Sequence, residues 1–237
     1  MGRATYLLFD FDGPLVDLFA LGQAPRIAGE LFAHLEVRLG YPVVDLFPNP
    51  GDPHGLMAGL RVTLQGLAGT AGSSVEPLVR ETELLLVEAE REAVRTSEFT
   101  DGAEPLLQML MASRRGARRF AITSNNSAAA IDDLLAQERA DVLRAAFQGQ
   151  VYGRDPDPDR MKPDPHCLIR ALAGLGCRYP DEALLIGDSG SDLEAAKQVG
   201  IPFLGYGATE AKRATLLESG ARHLVADLRE LLPTVPG

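Results

Sequence analysis

The chain is poor in cysteine, in lysine and in long apolar runs, and each shortage removes a class of protein. Two cysteines, Cys167 and Cys177, are too few for a disulfide framework, and their spacing fits no zinc pattern. Reduced, buried thiols of a cytoplasmic protein are the expectation. Basic residues are outnumbered 23 to 33 by acidic ones, giving a formal charge of -10. That balance speaks against a nucleic-acid partner or an anionic membrane surface, both of which need a basic patch. No apolar stretch approaches a membrane span, and the first strand, reached by Tyr6, leaves no room for a signal peptide. Tyr6 also stands where a myristoylation site wants Ser or Thr. Only Lys162, Lys197 and Lys212 are lysines, so each can be considered singly.

What remains is an ordinary globular composition, 46% hydrophobic and 24% charged, in 237 residues. That length suits one domain carrying an insertion. Tyr6 to Phe9 reads as a short buried strand, and it ends abruptly in Asp10, Phe11, Asp12, Gly13 and Pro14. Two carboxylates held so close repel one another, an arrangement best tolerated when a cation lies between them or one is protonated. Taken alone, such a D-x-D could be no more than a polar strand exit into a turn. Three later strand ends change that reading.

After Val16 the pattern turns helical to about Glu98. Ile27, Leu31, Leu35 and Leu39 share a face that closes at Gly40, and a loop rich in proline and glycine runs from Pro42 to Pro53. Leu56, Leu60, Leu64 and Leu67 form a second stripe, and Ser73 with Glu76 is a candidate capping box for a helix through Arg95. From Thr100 the grammar becomes alternating helix and strand. The predicted strands are 119–123, 150–152, 183–186, 202–204 and 223–225. The predicted helices are 106–111, 128–147, 166–175, 193–199 and 210–219, with a terminal helix after the last strand. The expected fold is therefore α/β: a Rossmann-like, mostly parallel sheet with helices on both faces, at residues 1–17 and 99–237, plus an inserted α-helical cap subdomain at 18–98.

Four sets of polar side chains fall at strand ends or in the loops after them: Asp10 with Asp12, Ser124 with Asn125, Lys162, and Asp188 with Asp192. In a parallel sheet those ends face one way, so the sets can converge. The carboxylates suit a hard divalent ion such as Mg²⁺, while a hydroxyl, backbone N–H groups and one ammonium suit a phosphate. A carboxylate that keeps one oxygen free beside such an ion can attack phosphorus.

With these motifs in order, D-F-D-G-P at 10–14, Ser124-Asn125 after an apolar strand, Lys162-Pro163-Asp164-Pro165, and I-G-D-S-G-S-D at 186–192, the chain resembles the haloacid dehalogenase-like hydrolase superfamily. The similar branch carries a helical cap after the first motif and includes phosphoglycolate phosphatases and β-phosphoglucomutases. The resemblance implies that Asp10 is the nucleophile and Asp12 the general acid and later base. It implies that Ser124, Asn125 and Lys162 hold the phosphoryl group. It implies that Mg²⁺ is bound by Asp10, the carbonyl of Asp12 and Asp188, with Asp192 a ligand or a partner behind the ligands.

The function so implied is a Mg²⁺-dependent phosphatase acting on a small phosphorylated metabolite, phosphoglycolate or a sugar phosphate, with oligomeric state open between monomer and dimer. A phosphomutase and a non-catalytic binding protein are the alternatives. Similar mutases carry a histidine soon after D-x-D, whereas none occurs here before His34. Similar carbon–halogen hydrolases lack the second aspartate, and similar phosphonate-cleaving enzymes use a cap lysine, whereas no lysine precedes Lys162. Pro14 departs from the Thr or Val of many relatives and, having no N–H, bears on the orientation of Asp12. Of the scattered histidines 34, 54, 166 and 223, His54 is the best placed to act. The acidic run Asp155 to Asp159 reads as a solvated loop, and the small-residue run 66–74 as a helix break.

Overall fold

The structure is a computed structural model, and it describes residues 4–19, 22–68, 74–113 and 118–233. Its main sheet has six strands, all parallel: β1 (Tyr6–Phe9), β4 (Arg119–Thr123), β5 (Val151–Tyr152), β6 (Ala183–Gly187), β7 (Phe203–Tyr206) and β8 (Leu224–Val225). They run in the order β5-β4-β1-β6-β7-β8, so the first strand is central and the chain winds away from it in both directions. β2 (Val16–Asp17) and β3 (Glu98–Phe99) lie outside this sheet.

Alternation along β1 sorts the core. Leu7 and Phe9 face one layer with Phe120, Ile122, Leu184 and Ile186, covered by α4 (Ala103–Ala112), α5 (Ala128–Leu135) and α6 (Asp141–Phe147). Leu8 faces the other with Ala121 and Leu185, covered by α7 (His166–Leu175) and α8 (Gly190–Val199). Both faces of the strand are thus dry, as its unbroken apolar run requires. Burying a side chain such as Phe9 contributes roughly 2–3 kcal/mol. α9 (Glu210–Glu218) packs on β7.

Between β2 and β3 lies a helical insertion of α1 (Gln23–Leu39), α2 (Pro53–Ala68) and α3 (Glu76–Ala93). Its cluster holds Ile27, Leu31, Leu35, Leu56, Leu60 and Leu64, the stripes expected from periodicity. Gly40, at φ 82°, closes α1 with its N–H on the Glu36 carbonyl, a left-handed position that glycine takes without strain. Leu67, at 40% exposure, has rotated off its stripe. One member comes from the sheet part of the chain: Met161 is buried among these residues. The antiparallel β2–β3 ribbon, pairing Val16 with Phe99 and Asp17 with Glu98, runs the two crossings side by side. Sequence reading missed it, because two-residue strands have no period to detect.

Other expectations need correction. The helix expected over 128–147 is two, broken by a turn at Glu138–Ala140, with Arg144 donating to the carbonyls of Leu135 and Gln137 at the break. Both pieces bury leucines in the same layer, which explains the continuous pattern. The terminal helix is only a 3₁₀ turn, Leu228–Leu231. Ser73 lies outside the described residues; α3 starts without a side-chain cap at Val75, and Glu76 pairs with Arg61 instead. Among the described residues no helix is long and apolar enough to cross a membrane.

Candidate active site

Strand register sets the level of the site. Phe9 pairs with Ile122 on one side and Ile186 on the other, so the residues that follow, Asp10, Thr123-Ser124 and Gly187-Asp188, leave the sheet together. The Asp10 N–H donates to the Ile186 carbonyl at 2.8 Å, and its own Oδ1 accepts from the Phe11 N–H at 2.8 Å. The chain then turns sharply. Gly13, at φ 98°, is obligatory here twice over, because a Cβ would sit 2.4 Å from Asp188 Oδ2.

Pro14 costs this turn nothing. The bonds that close it come from the N–H groups of Gly13, Leu15 and Val16, and Asp12 Oδ1 is fixed by the Leu18 N–H at 2.9 Å. The concern raised by a missing N–H at position 14 therefore does not reach Asp12.

Lys162 is buried at the centre. Its ammonium lies 2.9 Å from Asp10 Oδ1, donates to Asp192 Oδ1 and donates to the Thr123 carbonyl at 3.1 Å. Asn125 clamps the same residue by its backbone, accepting from the Lys162 N–H at 2.7 Å and donating to its carbonyl at 3.1 Å. Asn125, expected on a phosphate, is thus largely engaged in placing the lysine. Ser124 Oγ is buried on Asn126, accepting from its N–H and donating to Oδ1.

α8 begins at Gly190, three residues earlier than expected, and this decides what Asp192 does. Asp192 Oδ2 accepts from the N–H and hydroxyl of Ser189, while the Ser189 Oγ accepts from the Asp192 N–H, a reciprocal cap at the helix start. With Oδ1 on Lys162 and Oδ2 on Ser189, both oxygens of Asp192 are occupied. Asp188 pairs with the Lys212 ammonium.

The carboxylates of Asp10, Asp188 and Asp192 offer oxygens within 4.8 Å of one another. Burial first, then repulsion from Asp192 and Asp188, pushes Asp10 up to about 7 against the pull of Lys162. Burial, with Asp188 adding to it, pushes Asp12 up to about 7 as well. Burial likewise raises Asp188, against the pull of Lys212. An all-oxygen cluster this short of positive charge fits a hard divalent cation. The side chain of Asp12 is not in the cluster.

A cavity of about 370 Å³ opens from Asp10, Lys162 and Ser124 toward Asp52 and His54 of the insertion. His54 stands in the first turn of α2, and its Nε2 donates to Glu90 Oε1 at 2.9 Å. Glu90, on α3 and fully buried, also takes a forked contact from Arg154 (2.6 and 3.2 Å) and the Ser127 N–H at 2.9 Å. Burial alone would raise Glu90, but Arg154 and His54 together draw it down to about 2. Arg154 reaches Glu83 with its remaining Nε at 2.9 Å.

Sequence reading missed Lys212, Glu90 and Arg154. A lysine in the first turn of α9 runs against the helix dipole, and an acid at the buried spacing Leu86, Glu90, Ala93 breaks an apolar stripe; both were visible signals. Arg154 follows β5 in a loop and gave none. The acidic run at 155–159 is also not simply solvated, because Asp157 and Asp159 accept from Arg61 of α2 and Asp155 lies 3.2 Å from His166.

A family model for haloacid dehalogenase-like hydrolases matches residues 5–200, and the chain belongs to that hydrolase family. It is 28% identical over 233 residues to a phosphoglycolate phosphatase of Pseudomonas putida, covering 96% of this chain and 78% of that one. Among solved structures, CbbY from Rhodobacter sphaeroides in complex with xylulose-(1,5)bisphosphate is similar in fold at 21% identity, with a TM-score of 0.68 over 97% of this chain and 96% of that one. A predicted phosphoglycolate phosphatase from Haemophilus somnus gives 18% identity and a TM-score of 0.63, covering 97% of each chain.

Proposed function

We propose that this chain is a Mg²⁺-dependent phosphatase of small phosphomonoesters that works through a phosphorylated Asp10. The observation that carries the reading is the convergence of Asp10, Lys162 and Ser124 on one cavity, with Asp12 beside them. Ser124, the Lys162 ammonium and the second N–H of the Asn125 amide would hold the phosphoryl oxygens, and Lys162 would offset charge on Asp10. A Mg²⁺ held by Asp10, the Asp12 carbonyl and Asp188 would supply further neutralisation of the crowded anions. Asp192 and Asn125 act by placing Lys162.

In the first half-reaction an Asp10 oxygen attacks phosphorus, the bond to the ester oxygen breaks, and Asp12 gives that oxygen its proton. In the second, the Asp12 carboxylate takes a proton from water, whose oxygen attacks the aspartyl-phosphate; inorganic phosphate leaves and Asp10 is restored. A carboxyl group pushed up to about 7 suits both directions near neutral pH. Residues 18–98 serve as a cap that completes the cavity over the strand ends and excludes water.

The test is phosphate release from a panel of small phosphomonoesters with Mg²⁺ and with chelator, together with trapping of a phosphorylated enzyme. Release that requires Mg²⁺ and labels Asp10 is expected. Release that is undiminished by chelator, or no release from any compound, overturns the reading.

A further inference from the structure

Beyond the reacting centre, the cavity wall contributed by the insertion consists of Asp52, His54, Gly55 and Ala58. Resting on the phosphatase reading above, we infer that the group released is an uncharged polyhydroxyl compound, so that the substrate is a sugar or polyol monophosphate whose hydroxyls are read by Asp52 and His54.

The charges point this way. Among the described residues, no arginine or lysine of the insertion lines this cavity or the larger cleft of about 1000 Å³ that shares Asp12, Asp52 and His54 with it. The cations near by are spent. Lys162 pairs with Asp10 and Asp192 and is taken by the transferred phosphoryl group in the reading above, Lys212 pairs with Asp188, and Arg61 with Glu76, Asp157 and Asp159. Arg154, behind His54, is shared between Glu83 and Glu90. Taken with those two glutamates and Asp52, the neighbourhood of His54 is net negative whether or not the imidazole is protonated.

The hydrogen-bonding character agrees. A Glu90 carboxylate can only accept, so His54 Nε2 must carry its proton toward Glu90, which in the neutral ring leaves Nδ1 as an acceptor. Asp52 is a second acceptor. Its carbonyl takes the first N–H bond of α2, from Leu56, and its carboxylate folds over that turn so closely that a Cβ on Gly55 would lie 2.5 Å from Oδ2. The positive end of the helix, which could have favoured an anion, is thereby already taken by an anion. A wall of acceptors pairs with hydroxyl donors. A carboxylate or a second phosphate brings acceptors and like charge, with no free cation to meet it.

The experiment compares kcat/KM for sorbitol 6-phosphate and glucose 6-phosphate with those for 2-phosphoglycolate and fructose 1,6-bisphosphate, using p-nitrophenyl phosphate as a reference. At least one of the two uncharged-alcohol esters should exceed both charged ones by about tenfold or more, equivalent to about 1.4 kcal/mol. Asp52→Asn should narrow that ratio by several-fold. Turnover of p-nitrophenyl phosphate with 2-phosphoglycolate or the bisphosphate preferred, or a ratio unmoved in Asp52→Asn, overturns the inference and leaves the phosphatase reading standing. If no compound is hydrolysed, the phosphatase reading is the one that fails. Calorimetric binding to Asp10→Asn then decides the preference without turnover: sorbitol 6-phosphate bound more tightly than 2-phosphoglycolate upholds it, and the reverse order overturns it.

Discussion

Two buried ionic clusters lie side by side in this molecule, and they are built on opposite principles. At the strand ends, Asp10, Asp12, Asp188 and Asp192 face Lys162 and Lys212, so anions exceed cations and both Asp10 and Asp12 are pushed up to about 7. At the junction of α3 with the sheet, Glu90 has Arg154, His54 and a backbone N–H on its two oxygens and is drawn down to about 2. The second cluster is satisfied and holds the insertion in place. The first is incomplete as a matter of charge, which is the state expected of groups meant to meet a cation and a substrate.

The largest expected effect tests that contrast at Asp10. Asp10→Asn should abolish phosphatase turnover, by about 10⁴-fold or more, because an amide is a very poor nucleophile. In chelator its melting temperature should match or exceed that of the parent, since a repelled carboxylate has been neutralised. Near-normal phosphate release from this variant would break the comparison at its root.

Asp12→Ala comes next, with a loss of about 10²–10⁴-fold. Rapid-quench measurement should find both formation and breakdown of the phosphorylated enzyme slowed, because one carboxyl group serves both. A variant slowed in only one step would assign the other proton transfer elsewhere.

Glu90→Gln should do the reverse of Asp10→Asn. Removing this charge leaves the buried Arg154 with Glu83 as its remaining carboxylate partner and costs about 3 kcal/mol of stability, read by urea denaturation. A loss below about 1 kcal/mol would mean that the cluster is not a structural tie.

The smallest effect is a matter of sign. The folded-state values of Asp10 and Asp12, about 7, lie above the ordinary 3.8, so what they contribute to stability is fully present below about pH 4 and is lost as the pH rises to 7. Glu90, lowered from 4.5 to about 2, contributes stability that is present above pH 4.5 and lost as the pH falls through 2. In chelator, melting temperature should therefore decline from pH 5 to 7.5 more steeply in the parent chain than in Asp10→Asn. Equal slopes would show that Asp10 does not titrate in that range.

Much of the candidate site could be read in the sequence because its parts sit where local rules place them: each lies at the end of a parallel strand or in the loop after one, and parallel strands end on one side. Less could be read where a role depends on which partner a side chain meets. Asn125 reads from the sequence as a phosphate ligand, and the structure adds a second task, holding the backbone of Lys162 through its amide. Asp192 reads from the sequence as a ligand or a partner behind the ligands, and only the start of α8 at Gly190 shows that one of its oxygens joins the helix cap. Pro14 left the fine orientation of Asp12 open, and the structure shows the turn taking its bonds from Gly13, Leu15 and Val16.

By itself, then, the sequence determined the parallel sheet, the helical insertion and the aspartates, serine and lysine at the strand ends, since hydrophobic period and strand-exit chemistry are local properties of the chain. Tertiary structure alone decided the β2–β3 ribbon, the burial of Met161 among the insertion helices, the hold of Lys212 on Asp188 and the seating of Glu90 between Arg154 and His54. Those contacts join residues far apart in the chain, 24 positions for Lys212 with Asp188 and 64 for Arg154 with Glu90. Their energy comes from burial and from pairing charges away from water, and neither exists until the chain has folded.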